Sequence, residues 1–144
     1  MKTSNYFRVL YAEDNEDACF MLSTLFEFSN IEVLSAHSIA GAFQLAQAEH
    51  FDLYLLDTRF PEGSGLGLCR QLREFAPHTP IVFYSGDAYE IDKAKGLAVG
   101  ADAYLTKPNT DALAATVLQL LGNAEKSIGA NGYNFENRNV KLAY

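Results

Sequence analysis

Carboxylates, a hydroxyl and an ammonium group stand just after short apolar segments of this chain. Glu13 and Asp14 follow one segment, Asp57 and Ser85 each follow another, and Lys107 comes shortly after a fourth. Carboxylates bind divalent cations or attack phosphorus, and hydroxyl and ammonium groups hold phosphoryl oxygens. These residues therefore indicate chemistry on a phosphoryl group, provided that the fold brings them together.

The four apolar segments are predicted to be buried strands. They run from Val9 to Ala12, from Leu53 to Leu56, from Ile81 to Tyr84 and from Ala103 to Leu105. Short apolar runs bounded by polar residues favour strands. If the strands are parallel, their carboxyl ends share one edge of the sheet, which is where open α/β sheets bind ligands. The spacing therefore predicts one site built from all four strand ends.

A further strand and five helices complete a regular alternation. The segment from Ile31 to Ala36 is predicted to be the remaining strand, and Ser38 is a predicted helix N-cap. The last helix is predicted to stop at Gly122. This alternation predicts an α/β fold with right-handed crossovers and helices on both faces of a parallel sheet. The buried face of the first helix is predicted from residues at helical spacing, namely Ala18, Met21, Leu22, Leu25 and Phe26.

The composition predicts a single acidic domain. The 144 residues are 49% hydrophobic, and their formal net charge is -7. Such acidity argues against direct binding of nucleic acid, which needs a basic surface. No membrane association is expected, because no apolar stretch has the length of a membrane span and the polar amino terminus does not resemble a signal peptide. Cys19 and Cys69 are predicted to be core thiols without a disulfide, which favours a cytoplasmic location.

The chain is predicted to consist of a domain over residues 1–121 and a polar, flexible tail over residues 122–144. The tail contains five Asn and three Gly but only a few large apolar side chains, so no further element is expected there. Docking of Tyr133 and Phe135 on the domain or on a partner is the alternative.

Four motifs resemble those of the receiver domain of bacterial response regulators. The resemblance covers residues 8–121, with intervals of 28 residues from Asp57 to Ser85 and 22 from Ser85 to Lys107. It implies a doubly wound (βα)5 flavodoxin-like fold with a five-stranded parallel sheet of order 2-1-3-4-5. The motifs are Leu10-Tyr-Ala-Glu-Asp-Asn-Glu-Asp17, Leu55-Leu-Asp-Thr-Arg-Phe-Pro61 with Gly65, Tyr84-Ser-Gly86, and Gly100-Ala-Asp-Ala-Tyr-Leu-Thr-Lys-Pro108.

A magnesium site is expected among the carboxylates. Three carboxylates at one sheet edge raise each other's pKa unless a cation lies among them, and ligands that are all oxygen favour Mg²⁺. The resemblance implies that Asp14, Asp57 and the backbone carbonyl of Arg59 bind the ion and that Glu13 acts through water. The family usually has aspartate in place of Glu13, and since glutamate is longer, a direct or displaced contact is the alternative.

The resemblance also implies roles in phosphoryl transfer. Asp57 is the phosphoacceptor, Lys107 neutralises charge on the transferred group, and Ser85 donates its hydroxyl to a phosphoryl oxygen. Tyr104 is the switch residue, which turns inward when Ser85 moves toward the phosphoryl group. An inert core tyrosine is the alternative interpretation of Tyr104.

The function implied by the resemblance is a phosphorylation-dependent switch of a two-component system or phosphorelay. The phosphoryl donor is a histidine kinase or a histidine phosphotransfer protein, and the output is binding to an unknown downstream protein target. The chain is expected to be a monomer or weak dimer. It is expected to be a phosphoacceptor that catalyses its own phosphorylation and dephosphorylation rather than an enzyme.

Three other functions are alternatives to this one. A receiver fold that is not phosphorylated and serves as a binding scaffold stays open. A haloacid-dehalogenase-type phosphatase also uses a strand-end Asp with Mg²⁺, but it needs a second Asp where this chain has Arg59. A nucleotide-binding domain needs a glycine-rich turn after the first strand, whereas the glycines of this chain cluster after the third.

Arg59 and Asp87 are expected to flank the mouth of the site. Arg59 lies two residues beyond Asp57, and Asp87 lies two residues beyond Ser85. Our hypothesis is that the two side chains pair across the opening and slow the attack of water on the acyl phosphate. Two solvated charges are the alternative.

Overall fold

A computed structural model describes residues 6–129 and 142–143 of the chain. Within these residues, strands and helices alternate nearly throughout. The elements, in chain order, are β1 (Phe7–Ala12), α1 (Glu16–Leu25), β2 (Ile31–Ala36), α2 (Ile39–Ala48), β3 (Leu53–Leu56), β4 (Arg59–Phe60), β5 (Gly63–Ser64), α3 (Gly65–Phe75), β6 (Ile81–Ser85), α4 (Glu90–Ala98), β7 (Ala103–Thr106), α5 (Thr110–Gly129) and β8 (Leu142–Ala143).

The main sheet is parallel and has the order β2-β1-β3-β6-β7-β8. Its five principal strands confirm the predicted order 2-1-3-4-5. β4 and β5 form a separate antiparallel pair. Because Ala12 pairs with Leu56 and Ser85 pairs with Thr106, the strands end at similar heights. The residues that follow them consequently meet at one edge.

The sheet separates two hydrophobic cores. On one face, α2 and α3 cover a core that includes Leu10, Leu56 and Phe83. On the other face, α1 and α5 cover a core that includes Tyr11 and Leu105. Successive strand residues alternate between the two cores, so both faces of each central strand are buried. This burial explains why the strands appear in the sequence as nearly continuous apolar runs.

The buried face of α1 differs from the prediction. Leu22 and Phe26 are buried as expected. Cys19, which the helical spacing did not include, is also buried. Met21 is 62% exposed and Leu25 is 37% exposed. The apolar surface of α1 is wider than the face that the sheet can cover, and the hydrophobic spacing alone does not show which edge of it faces inward.

The predicted end of the last helix and the prediction of no later element were wrong. Gly122 does not stop α5, because a glycine inside a helix costs only about 1 kcal/mol and the helix continues to Gly129. Leu142–Ala143 pairs with β7 through the backbone, which the unpaired edge of a sheet accepts whatever the side chains. Flexibility of the tail was predicted for residues that include 130–141 and 144, which lie outside the described residues.

Cys19 and Cys69 are buried in different cores, and no disulfide joins them, as predicted. Among the described residues, no helix is both long and apolar enough to cross a membrane.

Candidate functional site: an acidic cluster at the carboxyl edge of the sheet

The predicted site residues meet at the carboxyl edge because backbone hydrogen bonds tie the strand ends together. The Asp57 amide donates to the Ala12 carbonyl at 3.0 Å, which places the end of β3 beside the end of β1. On the other side, the Lys107 amide donates to the Ser85 carbonyl at 2.8 Å. Residues that are far apart in the sequence therefore lie close together at this edge.

Glu13, Asp14 and Asp57 form an acidic cluster. Each offers a carboxylate oxygen, and these oxygens all lie within 4.8 Å of one another. Glu13 and Asp57 are buried, whereas Asp14 is exposed at the mouth of the cluster. A donor set made of oxygen alone fits a hard cation such as Mg²⁺, which binds through a few carboxylates and keeps several waters. The exposed carboxylate leaves one side open for those waters.

Lys107 supplies the positive charge of the site. Its Nζ lies 2.6 Å from Glu13 Oε1 and 3.2 Å from Asp57 Oδ2. The ammonium group also lies 5.8 Å from the centre of the Tyr84 ring. The peptide bond between Lys107 and Pro108 is cis. The distances from Nζ to the two carboxylates place the ammonium group beside Asp57, the predicted phosphoacceptor.

The charged groups of the site shift one another's pKa. Burial raises the pKa of Asp57; the Lys107 charge opposes this shift and the Glu13 charge adds to it. Burial would also raise the pKa of Glu13, but hydrogen bonds from Lys107 and Asn15 outweigh burial and lower it. The pKa of Lys107 is raised because its two carboxylate partners outweigh its burial. An additional cation beside Asp57 would favour its ionised form, against the effect of burial.

Tyr11 is a site residue that the sequence analysis missed. Its hydroxyl donates to Glu13 Oε1 at 3.2 Å, while the Asn15 amide donates to Glu13 Oε2 at 3.0 Å. Both oxygens of Glu13 thus have partners within the chain, and the side chain is held inward. The period of two along a strand could have revealed the contact, because Tyr11 and Glu13 lie two residues apart.

Ser85 is buried at the same edge, and its hydroxyl bonds to Thr58 rather than to Asp57. Thr58 Oγ1 and Ser85 Oγ are 2.6 Å apart, and Thr58 Oγ1 lies 2.8 Å from Asp87 Oδ2. A hydroxyl has one proton, so Thr58 donates to the Asp87 carboxylate and Ser85 donates to Thr58. Thr58 was also missed, although its position directly after Asp57 was the available signal.

The predicted pairing of Arg59 with Asp87 is confirmed. Arg59 Nη2 lies 2.7 Å from Asp87 Oδ1, and Arg59 Nε also donates to this carboxylate. The hydrogen bond from Arg59 is the main cause of the lowered pKa of Asp87. Arg59 is 81% exposed, so the pair lies at the surface.

Tyr104 has no exposed surface and points into the protein. Its ring packs against Phe83 with 5.7 Å between ring centres, and its hydroxyl donates to the Asp87 carbonyl at 2.7 Å. Gly96 of α4 lies against the ring. A Cβ at Gly96 would be 2.6 Å from Tyr104 Cδ2, which is closer than atoms can approach. The ring therefore occupies a slot that exists because residue 96 has no side chain.

A match to a family profile shows which family has this arrangement of residues. The profile of the response regulator receiver domain matches residues 9–118. This chain belongs to the response regulator receiver domain family. Members of the family are signalling phosphoacceptors of two-component systems, and the acidic cluster of this receiver domain corresponds to the acidic pocket in which the family generally binds Mg²⁺.

Curated relatives of this receiver domain are longer regulators. The alkaline phosphatase synthesis transcriptional regulatory protein PhoP of Bacillus subtilis is 35% identical over 101 residues, which cover 70% of this chain and 42% of PhoP. The regulatory protein VanR of Enterococcus faecium is 31% identical over 102 residues, which cover 70% of this chain and 43% of VanR. The receiver domain thus spans less than half the length of these relatives.

Solved structures confirm the fold. The receiver domain of the Francisella response regulator 1452 is 30% identical, with a TM-score of 0.76 over 81% of this chain and 98% of that chain. A CheY-like receiver domain protein from Methanospirillum hungatei is 26% identical, with a TM-score of 0.79 over 85% of this chain and 99% of that chain.

Proposed function

We propose that this receiver domain is a signalling switch in which Asp57 accepts a phosphoryl group from a phosphohistidine. The supporting observation is that Lys107 Nζ lies 3.2 Å from Asp57 Oδ2 within a cluster of carboxylates. An oxygen of Asp57 attacks phosphorus, the bond from phosphorus to the histidine nitrogen breaks, and the imidazole leaves with that electron pair. The product is an acyl phosphate on Asp57.

Asp14, Asp57 and the Arg59 carbonyl are the proposed holders of Mg²⁺, and Glu13 contributes through water. When bound, the ion neutralises negative charge on the phosphoryl oxygens. Lys107 contributes a second positive charge from within the chain. Its bond to Glu13 fixes the ammonium group in place, so little reorganisation is needed when charge develops.

Ser85 is the proposed hydroxyl donor to a phosphoryl oxygen. Its hydroxyl rotates from Thr58 to the phosphoryl group, and Thr58 keeps its bond to Asp87. Charge-assisted hydrogen bonds of this kind contribute about 1.5–3 kcal/mol each, which is comparable with the gap between two conformations of a switch. Tyr104 is the proposed residue that reports the change at the surface near α4.

The phosphoryl donor that we propose is a histidine kinase or a histidine phosphotransfer protein. The output is binding to a protein target, with this chain acting as a monomer or weak dimer. Its acidity gives no support to direct contact with nucleic acid, although relatives such as PhoP are named as transcriptional regulators. The buried thiols without a disulfide support a cytoplasmic location.

Intact-protein mass spectrometry after incubation with acetyl phosphate and Mg²⁺ tests the proposal. The wild type should gain the mass of one phosphate group, since the site itself catalyses the transfer from a small donor. Asp57→Asn should gain none, and EDTA should prevent the gain. Asp17→Asn, which removes an exposed carboxylate on α1, is the control and should be labelled like the wild type. Labelling of Asp57→Asn, or failure of the wild type with every donor, would refute the proposal.

A further inference from the structure

β7 is the last of the five principal strands on its side of the sheet, and β8 pairs with its outer edge. Leu142 pairs with Ala103 and Ala143 pairs with Tyr104, both in parallel. The side chains of Ala103, Tyr104 and Leu105 pack into the two cores, so the edge offers its backbone amides and carbonyls to a neighbour. Backbone pairing therefore allows an extended segment to bind here, whatever its side chains.

The two edges of the sheet are protected in different ways. β2, at the opposite edge, carries Glu32, whose exposed carboxylate forms an ion pair with Arg8. Charged residues on an edge strand discourage another chain from pairing with it. β7 contains neither a charged residue nor a proline, so its own side chains give no such protection. Within the part of the chain that the structure describes, β8 is the element that covers this edge.

The cover that β8 provides is short. β8 has two residues and β7 has four, whereas strands in globular proteins usually have about 5–6 residues. The pairing with β8 accordingly reaches Ala103 and Tyr104. A segment that pairs with all four residues of β7 forms more backbone hydrogen bonds than β8 does. Such a segment has an advantage over β8 in competition for the edge.

The covered edge includes the backbone of the proposed switch residue. Tyr104 pairs with Phe83 on one side and with Ala143 on the other. A segment that replaces β8 therefore contacts the backbone of the residue that was proposed to report phosphorylation of Asp57. Binding at this edge and the state of Tyr104 are thus linked through the same strand.

We propose that the outer edge of β7 is the docking edge for the protein target and that Leu142–Ala143 closes it until the target displaces that strand. The target contributes an extended segment, which adds to the sheet parallel to β7. The role of a target rests on the proposed function, whereas the competition for the edge does not. β8 is an autoinhibitory strand in this arrangement, because the target binds to molecules from which β8 has moved away.

Binding of a synthetic peptide tests the inference on the full chain without phosphorylation. The peptide has the sequence of residues 138–144, and NMR of isotope-labelled protein follows the amide signals of β7. The double variant Leu142→Pro/Ala143→Pro lacks both amides of β8, which leaves the edge open. A closed edge lowers the apparent affinity in proportion to the fraction of open molecules, so the double variant should bind the peptide about tenfold more tightly than the wild type.

Matched variants separate backbone pairing from other effects of the substitutions. Leu142→Ile keeps both amides and should bind the peptide as weakly as the wild type. A peptide with proline at the positions of Leu142 and Ala143 should bind to none of the proteins. If the double variant is unfolded by circular dichroism, the two single proline variants take its place. Successive amides of an edge strand point alternately toward and away from the sheet, so one of the two removes the ladder donor.

Several outcomes overturn the inference. They are equal affinity of the wild type and the double variant, absence of binding by both, and movement of β2 signals in place of β7 signals. A wild type that sediments as a dimer, which the proline substitutions dissociate, would show that β8 pairs with a second copy and would overturn the closure within one chain. A wild type that gains no phosphate from acetyl phosphate would refute the proposed function, while tighter binding by the double variant would still support the competition for the edge.

Discussion

Replacing Gly96 with alanine should displace the Tyr104 ring and weaken the fold. The new Cβ would lie 2.6 Å from Tyr104 Cδ2, 3.0 Å from Tyr104 Cε2 and 3.1 Å from Phe83 Cδ2. Carbon atoms in contact prefer about 3.5–4.0 Å. Overpacking of this kind costs about 1–3 kcal/mol, while alanine gains about 1 kcal/mol over glycine as a helix residue. The expected net loss of stability is therefore about 0–2 kcal/mol.

Gly122→Ala provides the matched control. Gly122 lies within α5, and a Cβ there would meet no atom within 4 Å, so only the helix gain of about 1 kcal/mol applies. Urea unfolding followed by circular dichroism should place Gly96→Ala about 1–3 kcal/mol below Gly122→Ala. Fluorine NMR of the same Gly96 variant should show a more exposed Tyr104. Equal stabilisation by the two substitutions would refute the argument that the glycine keeps space for the ring.

Further substitutions probe other contacts of the site and its support. Arg59→Ala should speed the loss of phosphate from Asp57, because the ion pair no longer covers the mouth; an unchanged rate in a phosphate-release assay contradicts the idea. Gly65→Ala should lower the free energy of unfolding in urea by about 1–3 kcal/mol and slow labelling by acetyl phosphate, because its Cβ would lie 1.9 Å from the Asp57 carbonyl oxygen. A variant as stable as the wild type would contradict this argument, because the backbone would then move apart without loss of stability. Asp102→Ala should cost about 1–3 kcal/mol in the same unfolding assay, because the carboxylate accepts from Arg73 Nη2 and the Ile81 amide at 2.9 Å each; a loss no larger than that of an exposed substitution such as Asp17→Ala would contradict this role.

The cluster of reactive residues could be predicted because strand ends are visible in sequence. A strand buried on both faces is a short apolar run, and the residue that ends the run lies at the sheet edge. It was therefore possible to assign Glu13, Asp57 and Lys107 to the carboxyl edge of the sheet without knowing their contacts. The pairing of Arg59 with Asp87 followed from the same logic, because each lies two residues beyond a strand-end residue.

Other features needed the fold. Met21 and Leu25 continue the apolar pattern of α1, yet they face solvent because the sheet covers only part of that surface. The strand at Leu142–Ala143 is made by backbone pairing, which leaves no side-chain pattern to detect. Thr58 and Tyr11 are ordinary residue types, and they become part of the site only through the partners that the fold places beside them.

The sequence by itself determined the class of fold and the set of charged residues at one edge, because these depend on hydrophobic pattern and spacing along the chain. The order of the principal strands came from the resemblance to the receiver family. Only the tertiary structure decided the partners of the Ser85 hydroxyl, the burial of Tyr104 in the space beside Gly96, and the partners of Glu13. Such features depend on distances of a few ångströms between residues far apart in the chain. Local pattern does not encode those distances; the packing of the helices against the sheet sets them.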